Sequence, residues 1–250
     1  MQPNLLILGG TTEATALARL VAQAGLQAVY SYAGRVDRPR DQPVPVRVGG
    51  FGGVEGLAAY LRAGKISHVV DATHPFAAQM SRHAIEACEQ TGVPLLALSR
   101  PPWQAETGDR WTVVPDLAGA VAALKGAPRR VFLAVGRLHL ADFAARPQHH
   151  YLLRLIDRPA TLPLPDCTVI VARGPFATAD DKGLMQKHDI DLVVSKNAGG
   201  TGARAKIDAA RALGLPVLMV DRPAIPPRDT VATPGQVMRW LVHCGVNLGV

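Results

Sequence analysis

A turn rich in glycine and threonine follows the first apolar run of the chain and has the composition of a phosphate-binding turn. After the apolar residues 4–8, it reads Gly9, Gly10, Thr11, Thr12 and Glu13. Glycines let the backbone approach a ligand closely, and the N-terminus of a following helix offers unpaired N–H groups and a partial positive charge. Because the full G-x-G-x-x-G fingerprint is absent, the turn alone only suggests a dinucleotide site, and a tight structural turn is the alternative.

The end of the second predicted strand, residues 27–32, indicates which dinucleotide such a site would prefer. Sites for NAD usually carry Asp or Glu there, which accepts hydrogen bonds from the ribose 2′-hydroxyl. Residues 31–35 contain no acid and instead provide Ser31, Gly34 and Arg35. Because a guanidinium pairs bidentately with phosphate oxygens, we expect Arg35 and Ser31 to bind the 2′-phosphate of NADPH. The alternative is a solvated surface arginine.

A second glycine-rich segment follows the third predicted strand. Residues 49–53 contain four glycines and one aromatic residue. Such a segment packs poorly but can lie against a flat ligand or a phosphate, so we expect Gly50, Phe51 and Gly52 to contact the cofactor. A flexible connector is the alternative.

Thr73 and His74 stand at the carboxyl end of the predicted buried strand 68–72. In open α/β sheets, ligands bind outside the carboxyl ends of the strands. His74 could therefore donate a proton or hydrogen-bond the nicotinamide, although a lone histidine near a helix start is often structural.

The second half of the chain repeats this arrangement with basic residues. The apolar strand 192–195 runs into a glycine-rich loop and then a predicted helix, and two arginines also come directly after apolar strands. The residues that could bind substrate carboxylates are Lys196, Asn197, Gly200, Lys206, Arg137 and Arg173. Each is a weak signal alone, and together they predict a basic cleft.

These candidate residues need a scaffold of alternating strands and helices. Strands are predicted over residues 4–8, 27–32, 44–48, 68–72, 93–98, 130–135, 151–156, 168–172, 192–195 and 217–220. Helices are predicted over residues 12–24, 54–63, 76–91, 177–188, 203–213 and 233–243. The alternation predicts an α/β fold with two Rossmann-like lobes, mainly parallel sheets and an active site in the cleft between them.

Adjacent prolines at 101 and 102 fit neither a helix interior nor a central strand. The composition up to residue 110 stays polar. We therefore expect an NADPH-binding α/β domain over 1–100 and a second α/β domain over 101–250 that contributes to the substrate cleft.

One segment is echoed within the chain. Residues 69–77 and 169–177 each combine an apolar strand, a short turn and Pro-Phe-Ala at a helix start. Proline suits the first helical turn because its missing N–H is an orphan donor there. The echo indicates either two lobes that point equivalent strand ends at one cleft or the chance repetition of a common strand–turn–helix arrangement.

Composition argues against several other classes of protein. The net charge is +7, but no basic run occurs and aromatic residues make up only 5%, which is poor for binding nucleic acid. The three cysteines, Cys88, Cys167 and Cys244, show no metal or disulfide spacing, so we expect free thiols and no metal. The N-terminal residues lack a basic region and a long apolar run, which predicts a cytoplasmic protein without a membrane span.

Taken together, the motifs resemble the precorrin-6A reductases of cobalamin biosynthesis. The resemblance runs from residue 5 to 223 and rests most on Asp-Ala-Thr-His-Pro-Phe-Ala at 71–77. It also includes the Gly-Gly-Thr-Thr-Glu turn, Gly34-Arg35, residues 48–53, Gly-Pro-Phe at 174–176 and the loop around Lys196-Asn197.

The resemblance implies an NADPH-dependent reduction of one double bond in a contracted tetrapyrrole that carries many carboxylates. It implies cofactor contacts from the first turn, Arg35, the second glycine segment and Thr73-His74, and a cleft lined by the lysine loop. It also suggests contact with other enzymes of the pathway, and no nucleic acid or membrane as partner.

The proton donor and the form of the substrate stay open at this point. His74, Lys196 or water could deliver the proton. The rivals are the equivalent reduction of cobalt-precorrin-6A and a non-catalytic NADP(H)-binding protein. Ala198 stands where the family often has serine, which puts a hydroxyl-dependent role of that position in doubt.

Overall fold

Apolar strands alternate with amphipathic helices along the whole chain, and a computed structural model describes residues 3–34 and 39–245. The elements of the N-terminal part are β1 (Asn4–Leu8), α1 (Thr12–Gln23), β2 (Gln27–Tyr32), β3 (Val46–Val48), α2 (Gly53–Ala63), β4 (His68–Asp71), α3 (Ala78–Thr91) and β5 (Leu95–Leu98). The later elements are β6 (Arg110–Val114), α4 (Leu117–Ala123), β7 (Arg130–Ala134), β8 (His150–Leu155), β9 (Cys167–Val171), α5 (Thr178–Lys187), β10 (Leu192–Lys196), α6 (Ala205–Ala212), β11 (Pro216–Val220), β12 (Thr230–Val231) and α7 (Pro234–His243).

The strands form two six-stranded sheets in which every pair is parallel, so the predicted α/β class is confirmed. The first sheet has the order β12-β5-β4-β1-β2-β3 and the second β6-β11-β10-β7-β8-β9. In each sheet five strands wind outward on both sides of one central strand, β1 or β7, and the sixth is an edge strand: β12, the last strand of the chain, in the first sheet and β6, which precedes β7, in the second. The strand order therefore reverses between β1 and β4 and between β7 and β10, which are the places where α/β sheets bind ligands.

The chain divides into two units, and the second sheet lies entirely within one of them. Unit 1 comprises residues up to Pro101 and the segment from Ala224 onward, and unit 2 comprises Pro102–Pro223. No helix among the described residues is long and apolar enough to cross a membrane. A cleft between the two lobes stays a prediction.

The segment after Pro223 belongs to unit 1, whereas the sequence-based division assigned all of 101–250 to the second domain. In the structure, Thr230 and Val231 pair with Ala97 and Leu98 of β5, and α7 packs into the core of unit 1. A two-residue edge strand leaves no periodic pattern in a sequence, so the return of the chain could not be predicted from it.

Unit 1 is built on a dry central strand and a helix with one apolar face. Leu5, Leu6 and Ile7 of β1 are fully buried, as expected for a parallel strand covered on both faces. Helix α1 buries Ala14, Leu17, Ala18 and Val21, which recur at helical spacing. This packing fixes the start of α1 beside the carboxyl end of β1.

The two echoed segments lie on strands that are not equivalent. Residues 69–71 belong to β4, a fully buried strand between β1 and β5. Residues 169–171 belong to β9, which pairs with β8 at the end of its sheet's strand order. The strand of unit 2 that corresponds to β4 in position is β10, so the echo does not mark equivalent strand ends.

Candidate functional site

The ring and hydroxyl of Tyr30 pack against the first glycine turn. The backbone N–H of Gly10, whose φ is +114°, donates to the Tyr30 hydroxyl at 2.9 Å. A Cβ at Gly9 would lie only 2.1 Å from Cζ of Tyr30, so this glycine lets the ring pack under the turn. Burial raises the pKa of Tyr30 to about 12, and the neutral phenol serves as acceptor for the turn.

Thr11 closes the turn and connects it to the neighbouring strand. Its Oγ1 accepts the N–H of Ala14 at 3.1 Å as the N-cap of α1 and donates to the carbonyl of Ala72 at 2.8 Å. The first N–H groups of a helix have no partner within the helix. Because Thr11 caps Ala14, the N–H groups of Thr12 and Glu13 are the ones that an approaching phosphate would meet.

Glu13 carries a carboxylate in this first helical turn, which would repel a phosphate if it were unpaired. It forms an ion pair with Arg100 at 2.6 Å and accepts a hydrogen bond from the Thr12 hydroxyl at 3.0 Å. The guanidinium therefore neutralises the one acidic group of the turn. The side chain of Glu13 acts in charge balance within unit 1, and its contact with the cofactor stays a prediction.

An arginine that the sequence did not single out lies beside Ser31. Nη1 of Arg47 donates to the Ser31 hydroxyl at 2.8 Å and to the carbonyl of Gly49 at 2.9 Å. Ser31 itself is buried, so the guanidinium is the more accessible of the two polar groups at this strand end. Arg35, the residue expected to bind the 2′-phosphate, lies outside the described residues.

The glycine segment after β3 is shaped by the same arginine. Nη2 of Arg47 donates to the carbonyl of Gly50 at 3.1 Å, and its guanidinium lies 3.8 Å from the centre of the Phe51 ring. Gly52 has φ of +84°, which ordinary side chains rarely adopt. A Cβ at Gly34 would lie 3.6 Å from Cα of Gly49, so the ends of β2 and β3 are in contact.

A buried carboxylate organises the end of β4. Asp71, with a side chain 1% exposed, accepts hydrogen bonds from the backbone and hydroxyl of Thr73 at 3.2 and 2.6 Å and from the Ser81 hydroxyl at 2.6 Å. Nη2 of Arg228, from the returning C-terminal segment, lies 3.0 Å away. A buried charge is tolerated when it is paired and hydrogen-bonded in this way. The network fixes the loop that carries His74.

His74 has a defined orientation within that loop. Its Nδ1 accepts the backbone N–H of Phe76 at 3.2 Å. In the neutral ring the proton is then on Nε2, which makes this atom a hydrogen-bond donor. Its role as a donor to the nicotinamide or the substrate stays a prediction.

In unit 2, the predicted lysine loop is fastened to a tryptophan. The side-chain oxygen of Asn197 accepts a hydrogen bond from the backbone N–H of Trp103 at 2.7 Å, and its side-chain nitrogen donates one to the backbone carbonyl of Trp103 at 3.0 Å. The indole N–H of Trp103 donates to the carbonyl of Gly200 at 2.7 Å. Asn197 and Lys206 are 8% and 5% exposed, and Lys206 donates to the carbonyl of Ala203 at 2.6 Å. These side chains shape the loop, and their contact with substrate stays a prediction.

Ala198 lies in the apolar core of unit 2 and is 5% exposed. Its carbonyl accepts a hydrogen bond from Nη2 of Arg222 at 3.1 Å, and the Asn197 carbonyl accepts one from Nε at 3.0 Å. Because the methyl group packs among apolar residues, the absence of a serine hydroxyl removes no group from the surface of the loop.

The three other basic candidates of unit 2 differ in position. Lys196 ends β10, and Arg137 comes after β7, the neighbouring strand, so the two lie beyond adjacent strand ends. Arg173 comes after β9, which is three strands from β10, or about 14 Å at normal strand spacing. Arg137 and Arg173 are exposed. Lys196 and Arg137 therefore follow neighbouring strands, whereas Arg173 follows a strand at the far side of the sheet, and the contact of all three with substrate stays a prediction.

Unit 2 also holds a buried ion pair that the sequence analysis missed. Arg154 of β8 pairs with Asp181 of α5, and their side chains are 10% and 1% exposed. The guanidinium lies 3.5 Å from the centre of the Phe176 ring. The sequence contained one indication of this pair: Arg154 stands inside an apolar strand, and a buried charge needs a buried partner.

Comparison with known proteins assigns this arrangement to a family. The family model described as precorrin-6x reductase CbiJ/CobK matches residues 4–242. A precorrin-6A reductase of Rhodobacter capsulatus is 61% identical over 98% of both chains, and one of a Sinorhizobium species is 47% identical over 97% of this chain and 94% of its own. A cobalt-precorrin-6A reductase of Priestia megaterium is 29% identical over 96% of this chain and 98% of its own.

A solved structure of a CobK precorrin-6A reductase has the same fold. It is 60% identical, covers 99% of this chain and 100% of its own, and superposes with a TM-score of 0.96. The family match spans both units and the turns described above. The chain belongs to the precorrin-6x reductase CbiJ/CobK family, a family of oxidoreductases of cobalamin biosynthesis.

Proposed function

We propose that this protein catalyses the NADPH-dependent reduction of a double bond of precorrin-6A to give precorrin-6B. The observation that carries the proposal is the 61% identity to a precorrin-6A reductase over 98% of both chains. Family membership implies a nicotinamide cofactor. The choice of NADPH rests on the residues of unit 1.

The residues of unit 1 fit a phosphorylated dinucleotide. The Gly10 turn and the start of α1 offer backbone N–H groups to the pyrophosphate, as in other dinucleotide sites. The end of β2 carries Ser31 with the Arg47 guanidinium and, among the residues that the structure describes there, no acid. Since a carboxylate at this place is what selects NAD, its replacement by a cation supports NADPH.

When bound, the nicotinamide supplies the hydride, so the protein needs no nucleophile of its own. Its residues position the reacting atoms, exclude water and provide a proton for the second carbon of the reduced bond. The Nε2–H of His74, on the loop fixed by Asp71, and Lys196 of unit 2 are the two candidate donors from the protein, and water is the alternative. Both assignments stay proposals.

The substrate is a polycarboxylate, which suits a chain of net charge +7. Lys196 and Arg137 lie beyond adjacent strand ends of unit 2, where they could bind acetate and propionate groups. Contacts with other enzymes of the pathway and a cytoplasmic location stay predictions from the sequence.

Metal-free precorrin-6A is the favoured substrate, and cobalt-precorrin-6A is the second candidate. The relatives named precorrin-6A reductase are 43–61% identical to this chain, whereas those named cobalt-precorrin-6A reductase are 28–29% identical. Comparing rates on both substrates at equal concentration tests this choice. A faster reduction of the cobalt-containing substrate would reverse it.

The reductase activity itself is tested by mixing the purified protein, NADPH and precorrin-6A and following the absorbance of NADPH. We expect oxidation that stops when one NADPH has been used per substrate molecule, and none without substrate. A protein that binds NADPH but never oxidises it with either tetrapyrrole would instead be a non-catalytic binder, and the proposal would be wrong.

A further inference from the structure

Arg47 occupies the place in unit 1 where a dinucleotide site distinguishes its two cofactors. Ser31 pairs with Leu8, the last residue of β1, and so lies at the strand end that carries an acid in NAD sites. Arg47 is the residue of β3 that pairs with Ser31. Its Nη1 is 2.8 Å from the Ser31 hydroxyl, so a cation lies where an NAD site has an anion.

The guanidinium is held in place from several sides. It donates to the carbonyls of Gly49 and Gly50 at 2.9 and 3.1 Å and stacks on Phe51 at 3.8 Å. The ring of Tyr60, in α2, lies 5.3 Å from it. Because these contacts fix the planar fork before any ligand binds, little side-chain entropy remains to be lost on binding an oxyanion.

The charge of Arg47 is not neutralised by these partners. The three acceptors are two carbonyl oxygens and a hydroxyl, all of them uncharged, and they use three of the five N–H groups of a guanidinium. Among the described residues, no carboxylate forms an ion pair with Arg47. Arg154 differs in this respect, because the Asp181 carboxylate balances its charge. A partly exposed and fixed guanidinium that no described carboxylate balances is suited to a phosphate.

We propose that Arg47 is a specificity-determining residue that binds the 2′-phosphate of NADPH. The proposal rests on the proposed use of NADPH. It assigns the preference for the phosphorylated cofactor to a residue of β3, whereas the sequence had pointed to Arg35, which lies outside the described residues. The same guanidinium donates hydrogen bonds to the carbonyls of Gly49 and Gly50. One side chain would therefore both shape this turn and supply the positive charge for the 2′-phosphate.

The test measures binding of NADP⁺ and NAD⁺ to the whole protein without substrate, by titration calorimetry. Arg47→Met removes the charge and keeps most of the apolar stem. We expect it to weaken NADP⁺ at least tenfold, which is about the effect of losing one hydrogen bond to a charged group, and NAD⁺ by less than about threefold. Arg47→Lys keeps the charge without the planar fork and should lie between Arg47→Met and the parent protein.

Arg62→Met is the matched control, because Arg62 is an exposed arginine of the same unit that donates a long, 3.4 Å hydrogen bond to the Gln90 carbonyl. It should leave both affinities unchanged. Equal losses of NADP⁺ and NAD⁺ affinity in Arg47→Met and Arg47→Lys would mean that Arg47 only shapes the turn, and would overturn the proposal.

The outcome separates this inference from the proposed function. If the parent protein binds NAD⁺ as tightly as NADP⁺, Arg47 confers no preference and the inference is wrong, while reduction of precorrin-6A with NADH remains measurable. If NADPH is oxidised with precorrin-6A but the Arg47 variants keep the preference, only the inference fails. The melting temperature of each variant is measured as a control, so that a loss of cofactor affinity is not mistaken for a loss of folded protein.

Discussion

The two units share the order of five strands but differ in the structure that comes directly after the central strand. After β1, Gly10 and Thr11 lead into the 12-residue helix α1. After β7, Gly136 leads only into a three-residue 3₁₀ helix, Arg137–His139. The aligned N–H groups and dipole of a longer helix start favour phosphate binding. Strand order alone therefore does not make a nucleotide site, and of the two central strands only β1 leads directly into a helix start of this kind.

A second difference lies at the end of the strand beside the central one. Ser31 and Arg154 are each the fifth residue of a six-residue strand, β2 and β8. In unit 1, Ser31 contacts Arg47, which forms no ion pair with a carboxylate in the part of the chain that the structure describes. In unit 2, Arg154 is itself buried and paired with Asp181. The same strand position is therefore proposed to serve ligand binding in unit 1, whereas in unit 2 it holds an internal ion pair.

The largest expected effect is on the ion pair of unit 2. Arg154→Met leaves the Asp181 carboxylate buried without a partner, which should lower the free energy of unfolding by about 3–5 kcal/mol. Denaturant titration measures it. Arg204→Met is the control, because its partners Glu106 and Asp208 are far more exposed, and it should cost at most about 1 kcal/mol. Similar losses of stability in both variants would mean that the buried Arg154–Asp181 pair contributes no more than the exposed pairs of Arg204.

The double variant Arg154→Met, Asp181→Leu examines the same pair with both charges removed. No unpaired group is then left, so most of the lost stability should return. NADP⁺ affinity should stay unchanged in the folded double variant, because this pair lies in unit 2. A large loss of NADP⁺ affinity would contradict the assignment of the cofactor to unit 1.

A smaller effect is expected at the first turn of unit 1. In Gly9→Ala, the new methyl group would overlap the Tyr30 ring, which should cost about 1–3 kcal/mol of stability and weaken NADP⁺ binding. Gly183→Ala in α5 is the control: its Cβ meets no atom within 4 Å, and alanine favours a helix, so it should be neutral or stabilising. A Gly9→Ala protein with unchanged melting and affinity would show that the turn is not supported by Tyr30.

The smallest effect concerns the pH dependence of unit 2. Burial would raise the pKa of Asp109, but hydrogen bonds from Arg211 and the Glu106 N–H outweigh it, and the pKa is lowered. A lowered folded-state pKa means that the stabilisation is present at neutral pH and is lost as the pH falls through that value. The melting temperatures of the parent protein and Asp109→Asn should therefore converge in acid. A difference that stays constant down to about pH 3 would contradict this.

The sequence predicted the strands at the centre of both sheets because buried parallel strands are continuous apolar runs. It assigned no strand to β6 (Arg110–Val114), because this edge strand leaves Val113 62% exposed and has little apolar pattern. It also missed α4, a seven-residue helix, and the two-residue β12. Short or exposed elements are stabilised by neighbours distant in sequence, which no local pattern reveals.

The site was predicted in part for the same reason. Gly10, Thr11 and Thr73 lie at strand ends, and strand ends can be located from a sequence. Arg47 was missed because it stands between two valines in β3 and its partners come from β2 and the turn after β3. Tyr30 and Asp71 were treated as strand residues, since no local pattern shows that their polar atoms support a neighbouring turn.

A crystal structure of the protein with NADPH bound would test the assignment of the nucleotide to unit 1 without intermediaries. We expect the pyrophosphate at the N–H groups of Thr12 and Glu13, the 2′-phosphate within hydrogen-bond distance of Arg47, and the nicotinamide near His74. A cofactor whose phosphates instead lie against the loop of Lys196 and Gly200 would contradict that assignment.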